Sequence, residues 1–311
     1  MQTPDTSNRS KRTQITSPFL FATCLSAAII CSGCGGSASA SSTTSTSNNA
    51  YATAYKALSW GSAAMVSFPS SCSMTLSSTG VPPFHADYYL APVSTQYPTA
   101  VAVTPVSGTQ MSLVPYLPSS ISSNTVTVNS CPEKASSTTV TNMGVIGYMI
   151  SGEAIYSPYE GGGASVPAMS DNVSYTFTTS SGVRETASFI DSYSHPTPLS
   201  GGYTWHHHAV PVCLASQIDG ASGPSHLLGF ALDGFPIYGG RDVNGNVISA
   251  SQLDSCNGIT SATPEFPNGA YHYVLPIGVT GSQSSLNCYA GTVSQTQVAS
   301  AKKLKCTMKG M

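Results

Sequence analysis

Ten residues of this chain recur, in altered form, 82 positions further on. Gly147-Tyr148-Met149-Ile150-Ser151-Gly152-Glu153-Ala154-Ile155-Tyr156 aligns with Gly229-Phe230-Ala231-Leu232-Asp233-Gly234-Phe235-Pro236-Ile237-Tyr238. Each window reads as strand, tight turn, strand. Asp233-Gly234 is a strong two-residue hairpin signal because Gly accepts the positive φ the turn demands, and Ser151-Gly152 is a weaker form of it. Pro236 has no amide to give to a ladder, which places its strand at an edge or a bulge. A second shared element follows each hairpin. After the first come Asp191-Ser192-Tyr193, a Gly/Pro loop and Trp205-His206-His207-His208; after the second come Asp254-Ser255-Cys256, a loop with Asn268-Gly269 and Tyr271-His272-Tyr273. Such a chain is expected to fold as two related half-modules, over about residues 140–210 and 225–276, around one core.

The rest of the sequence agrees with a β fold. Short runs rich in Val, Ile, Thr and Tyr, such as Thr125 to Val128, Tyr175 to Thr179 and Tyr271 to Leu275, alternate with Gly/Pro/Ser/Asn clusters. With 21 Pro and 28 Gly as punctuation, no sustained helical period survives. The expected fold class is all-β, or mostly β with short helices: a disulfide-linked, sandwich-like domain built from the two half-modules. Only 8% of residues are charged, and Lys plus Arg total 11 against 13 Asp plus Glu. No basic field exists to hold a polyanion, so nucleic acid is not an expected partner.

The N-terminus reads as an address. Arg9, Lys11 and Arg12 precede an apolar run from Phe19 to Cys31, too short to span a bilayer as a helix. Cys31-Ser32-Gly33-Cys34 then resembles a lipobox with Cys31 in place of the usual aliphatic residue. Residues 1–33 are accordingly expected to be a lipoprotein-type signal peptide, with Cys34 carrying the lipid that anchors the chain to a membrane; ordinary cleavage within the following small-residue stretch is the alternative. Residues 34–50, rich in Ser, Thr and Gly, are expected to act as a flexible tether, and 51–311 to form the β domain. The location implied is the bacterial cell envelope, on its periplasmic or surface face.

Losing Cys24 and Cys31 with the leader and lipidating Cys34 leaves six cysteines: Cys72, Cys131, Cys213, Cys256, Cys288 and Cys306. An even remainder in an exported protein points to disulfides. Loop length favours Cys72 with Cys131, Cys213 with Cys256, and Cys288 with Cys306, although spacing alone does not fix connectivity.

These elements together resemble the bacterial YHYH-domain family, named for a Tyr-His-Tyr-His strand. The run from Leu228 to Gly239 looks like that family's most specific stretch. Leu253-Asp254-Ser255-Cys256-Asn257-Gly258 and Tyr271-His272-Tyr273 follow in the expected order, and upstream Gly80-Val81-Pro82 with His85 looks like its early Gly-x-Pro-x-His element. The resemblance covers roughly Thr79 to Pro276. The signature itself is altered: Trp205-His206-His207-His208 keeps both histidines and exchanges both tyrosines, and Val274 stands where the second strand would have its last His. The resemblance implies no defined activity.

Side chains alternate along a strand, so His206 and His208 share one face and form a ready chelate, while Trp205 and His207 take the other. By the repeat, His272 falls in the phase of His206. One pairing of the halves would therefore bring His206, His208 and His272 to a common face, with His195 and His85 as further ligands. Three neutral imidazoles suit copper or zinc. Asp191 and Asp254, at the starts of loops, and Asp233 and Gly234, in the hairpin turn, are expected to serve as turn or second-layer residues. Metal binding is the leading functional expectation. A metal-dependent or Asp/His hydrolase is an alternative, since a three-His ion activates water. A glycan-binding or adhesive module is another, since 16 tyrosines on a β scaffold offer stacking surfaces.

Overall fold

A computed structural model describes residues 44–294, except 86, 93–99, 103–109, 142, 160–173, 179–181, 183, 189–193, 200–201 and 280. Helix α1 (Thr44–Ala57) leads into the hairpin β1 (Ala64–Ser70) and β2 (Ser73–Ser78), then into β3 (Tyr88–Pro92), β4 (Ala100–Ala102) and β5 (Gln110–Pro115). β6 (Asn124–Asn129) and β7 (Lys134–Val140) precede the first repeat, which contains β8 (Val145–Met149), β9 (Ala154–Tyr156), β10 (Ser174–Thr178), β11 (Arg184–Ser188), β12 (Ser194–Leu199) and β13 (Gly202–His207). Helix α2 (Val212–Asp219) separates it from the second, with β14 (Leu227–Ala231), β15 (Pro236–Tyr238), β16 (Gly258–Ser261) and β17 (Ala270–Val274); β18 (Cys288–Gly291) follows. The protein is mostly β with two short helices. α1 takes in residues 44–50, which composition had assigned to the tether.

The repeat is visible as symmetry within one eight-stranded sheet, ordered β12-β13-β9-β8-β14-β15-β17-β16. Its two middle strands are antiparallel, with Gly147 opposite Ala231, Tyr148 opposite Phe230 and Met149 opposite Gly229. That register maps onto itself when the halves are exchanged, so a local two-fold passes through the Tyr148–Phe230 pair, whose ring centroids are 6.1 Å apart. Each half then repeats the same steps outward. Gly147 pairs with Ile155 and Gly229 with Ile237 in the hairpins. Ile155 pairs in parallel with His207, and Ile237 with Tyr273. The outermost antiparallel strands set His195 against His206 in one half and Ile259 against His272 in the other.

The strand of Pro236 is not at an edge, but its pairing with β14 does carry a bulge-like irregularity, between Leu227 and Gly229. It lies inside the sheet, between β14 and β17. Pro236 is tolerated because it opens the strand: the parallel pairing with β17 begins one residue later, at Ile237, so no ladder bond is asked of its nitrogen.

A three-stranded sheet, ordered β1-β2-β6, forms a second layer. Its Met74, Leu76 and Val128 join Ile146, Met149, Leu228, Phe230 and Ile237 of the large sheet in one core, as two sheets pack with their alternating apolar positions facing. Helix α1 lies against the second hairpin: Tyr55 donates its hydroxyl to the Gly234 carbonyl at 2.8 Å, and the Tyr51 ring meets Phe235 edge-on at 5.6 Å. A smaller aromatic cluster of Tyr89, Tyr203 and Trp205 covers the Trp205 side of β13. No helix among the described residues is long and apolar enough to cross a membrane.

Cys72 is bonded to Cys131, as loop length favoured. The second bond corrects the other two pairings: Cys256 joins Cys288, not Cys213, and Cys288 is therefore not joined to Cys306. Loop length failed here because β18 returns beside the turn that carries Cys256, a long-range placement that spacing does not encode. Cys306, like Cys34, lies outside the described residues.

Both hairpin turns place glycine at positive φ, Gly152 at 107° and Gly234 at 89°. A Cβ on Gly234 would also run into the carbonyl oxygen of Asn129, at the end of β6. Gly234→Ala is expected to cost at least 1–3 kcal/mol, about the range for overpacking with added backbone strain. Urea unfolding followed by tryptophan fluorescence measures it, with Gly182→Ala, which has open space around it, as the milder comparison.

Candidate metal centre

The site is built by two neighbouring strands and the turn beyond them. Because β12 and β13 are antiparallel and in register, His195 stands directly across from His206. His208 follows two positions after His206, on the same side. The three rings are 99%, 99% and 96% buried in that order, and one nitrogen from each falls within 4.8 Å of the others. Ring centroids are 4.5 Å apart for His195–His206, 5.3 Å for His195–His208 and 4.8 Å for His206–His208. Tyr156, the last residue of the first repeat window, lies flat on His206 at 3.8 Å.

The hydrogen bonds fix what these nitrogens present. Nδ1 of His208 is 2.7 Å from the Ser157 carbonyl, and Nδ1 of His206 is 3.3 Å from the Thr204 carbonyl. A carbonyl only accepts, so the short contact puts the His208 proton on Nδ1 and turns its Nε2 lone pair toward His206, and the His206 tautomer that donates to Thr204 does the same. Those two Nε2 atoms face one another at 3.1 Å. With the His206 proton on Nε2 they share a neutral N–H···N bond, and with it on Nδ1 the two lone pairs face an ion placed between them. Burial first, and then the neighbouring His195 and His208, hold the His206 pKa well below the ordinary histidine value. A second proton on His206 is thus disfavoured, and both Nε2 atoms stay available to an ion in the neutral rings. Two donors 3.1 Å apart subtend roughly 100° at an ion about 2.05 Å from each.

The other histidines are elsewhere. His272 occupies the place equivalent to His206, but the local two-fold puts it at the far side of the sheet. Five inter-strand steps separate β13 from β17, on the order of 24 Å. There His272 gives its Nδ1–H to the Ala270 carbonyl at 3.1 Å and meets Tyr238 at 4.7 Å, tilted by 58° where Tyr156 lies flat on His206, without the rest of the cluster. Ile259 replaces His195 and Val274 replaces His208, so the second half lacks two of the three donors. His85 is not a ligand of the cluster either. It stacks on Tyr116 at 3.5 Å, and Tyr116 meets Trp205, on the opposite side of β13. His207 shares that opposite side, with Nε2 3.8 Å from Oε1 of buried Glu153. His226 is paired with Glu265 at 2.8 Å, and Glu265 also accepts from the Tyr238 hydroxyl at 2.8 Å.

The aspartates hold turns. Asp254 accepts from the amides of Cys256 at 2.9 Å and Gly258 at 2.8 Å and from the Tyr271 hydroxyl at 2.9 Å, which shapes the loop where Asn257 adopts φ 62°. Asp233 accepts from the Tyr273 hydroxyl at 2.6 Å and from the amides of Gly291 at 2.9 Å and Phe235 at 3.2 Å. Asp191 lies outside the described residues. Clefts of about 600 Å³, beside Pro82, Ile150 and Leu214, and about 440 Å³, beside Cys131, Glu133 and Asp233, are lined by residues other than the three imidazoles.

Sequence reasoning missed three parts of the site: the Tyr156 ring and the Ser157 and Thr204 carbonyls. A signal for the first was present, since both repeat windows end in tyrosine and both tyrosines pack on the equivalent histidine. None existed for a backbone carbonyl.

What the fold and the cluster define is a two-fold-duplicated β protein with three buried imidazoles at one end of its main sheet. A family profile described as "YHYH protein" matches residues 125–247 and 241–291, more than half of the chain. The chain belongs to that family. No curated protein and no solved structure matches it. The matched region begins after Gly80-Val81-Pro82 and His85 and contains the whole imidazole cluster.

Asp233 supplies a pH test of the turn. Burial pushes its carboxyl from the ordinary 3.8 up to about 6, against the pull of its three donors. A carboxyl whose pKa is higher folded than unfolded stabilises the fold most below its unfolded pKa, and that contribution is lost as pH rises through the folded value. Between about pH 3 and 8 the wild type should therefore lose about 3 kcal/mol more stability than Asp233→Asn, which does not titrate. Urea midpoints of both proteins across that range measure the difference.

Proposed function

We propose that this protein binds a transition metal ion, copper or zinc, through His195, His206 and His208, as an exported protein anchored to the cell envelope by a lipid on Cys34. The observation that carries the metal reading is the convergence of three buried imidazoles, each with a nitrogen within 4.8 Å of the others and with the Nε2 atoms of His206 and His208 3.1 Å apart. Support comes from the donor set, since three imidazoles on rigid neighbouring strands are a familiar arrangement for these ions. Export is supported by the basic and apolar leader and by the two disulfides, which persist in oxidising compartments.

Untagged protein, loaded with metal and dialysed, should retain about one ion per chain by elemental analysis, and the His206→Ala/His208→Ala protein should retain almost none. Equal retention in both would remove these residues as ligands. His85→Ala and His272→Ala should retain as much as wild type, since their rings stand away from the cluster. The anchor is tested separately. Metabolic labelling with a radioactive fatty acid should mark the wild-type chain in the membrane fraction, and Cys34→Ala should abolish both the label and the membrane association. Label that persists in that variant would place the lipid elsewhere.

A further inference from the structure

We propose that the ion this cluster is built for is monovalent cuprous copper, held by three neutral imidazoles; the proposal rests on the metal-binding reading above. Charge and coordination number select that ion.

All three donors are uncharged. The outer nitrogens of His206 and His208 rest on backbone carbonyls, at Thr204 and Ser157, and so bring no formal negative charge to the ion. Sites that hold divalent zinc commonly brace a ligand histidine with a carboxylate, which compensates the metal and raises the basicity of the imidazole. Here the rings against His206 are His195 at 4.5 Å, His208 at 4.8 Å and Tyr156 at 3.8 Å.

Burial turns that difference into selectivity. With the rings almost wholly enclosed, an ion in the cluster leaves water, and the cost of desolvation rises with the square of its charge. A divalent ion therefore meets about four times the penalty of a monovalent one unless an anion enters with it. Coordination points the same way. Zinc normally completes a tetrahedron, and in a three-His site it does so with water. Cuprous copper is stable with three nitrogen donors, and the Tyr156 ring already covers the adjoining face of His206 at 3.8 Å. The strands thus present three donors and an aromatic wall to a small, weakly charged ion.

Full-length protein is titrated anaerobically with Cu(I) against a chromogenic Cu(I) chelator, and in parallel with Zn(II) and Cu(II) against chelators for those ions. The wild type should hold Cu(I) at least about 100-fold more tightly than Zn(II), and the His206→Ala/His208→Ala protein should lose at least about 100-fold in Cu(I) affinity. Zn(II) bound as tightly as Cu(I) or more so, and lost in the double variant, would overturn the cuprous assignment and leave the metal site standing. No binding of any of the three ions, or binding indifferent to the double substitution, would overturn both. A second variant isolates the charge argument. His195→Asp places a carboxylate among the donors and should shift the Zn(II)-to-Cu(I) affinity ratio toward zinc by at least about tenfold; an unchanged ratio would show that charge does not select the ion.

Discussion

The antiparallel pairing of β8 with β14 about Tyr148 and Phe230 governs the rest of the molecule. Because its register maps onto itself, it converts a repeat in sequence into a two-fold within one continuous sheet. Gly147 and Gly229 stand on either side of the axis, and a Cβ on either would press on the carbonyl of the opposing strand, Phe230 or Tyr148. Close approach of the two halves therefore depends on the same residue in both. Everything outward of that pair is placed twice: a hairpin with a positive-φ glycine, a parallel third strand and an antiparallel fourth.

Symmetry of this kind separates equivalent residues. A two-fold through the centre of a sheet sends whatever lies near one edge to the opposite edge, so His206 and His272 are kept apart by the feature that makes them equivalent. The imidazole cluster had to be assembled within one half. It is completed by His195 on the neighbouring strand and His208 two residues along, and the second half, with Ile259 and Val274 in those places, keeps only the tyrosine-on-histidine contact. There the surrounding polar groups are tied into a different network, with Glu265 bridging His226 and Tyr238.

The buried polar groups show how each half solves the same local problem with different chemistry. At the second turn Asp233 is held by Tyr273, a residue of the adjoining strand. At the equivalent turn Ser151 bonds to the carboxylate of Glu153, and His207 stands where Tyr273 would be. The second turn is thereby fastened to the third strand of its half, whereas in the first half Glu153 only approaches His207 of that strand, at 3.8 Å.

Sequence alone determined what depends on short range. Alternation along a strand put His206 and His208 on one face and His207 on the other. The Asp-Gly and Ser-Gly pairs marked the turns, and the repeat announced two halves of a β domain of the YHYH family. Tertiary structure decided what depends on register and on contacts distant in sequence. Among these are His195 and not His272 as the third imidazole, His85 in an aromatic stack on the far side, Cys256 bonded to Cys288, and Pro236 inside the sheet. The physical reason is common to all of them. Periodicity specifies the direction of a side chain relative to its own strand, whereas the partner it meets is set by which strand lies alongside and at what offset, and that offset is fixed by packing across the whole sheet.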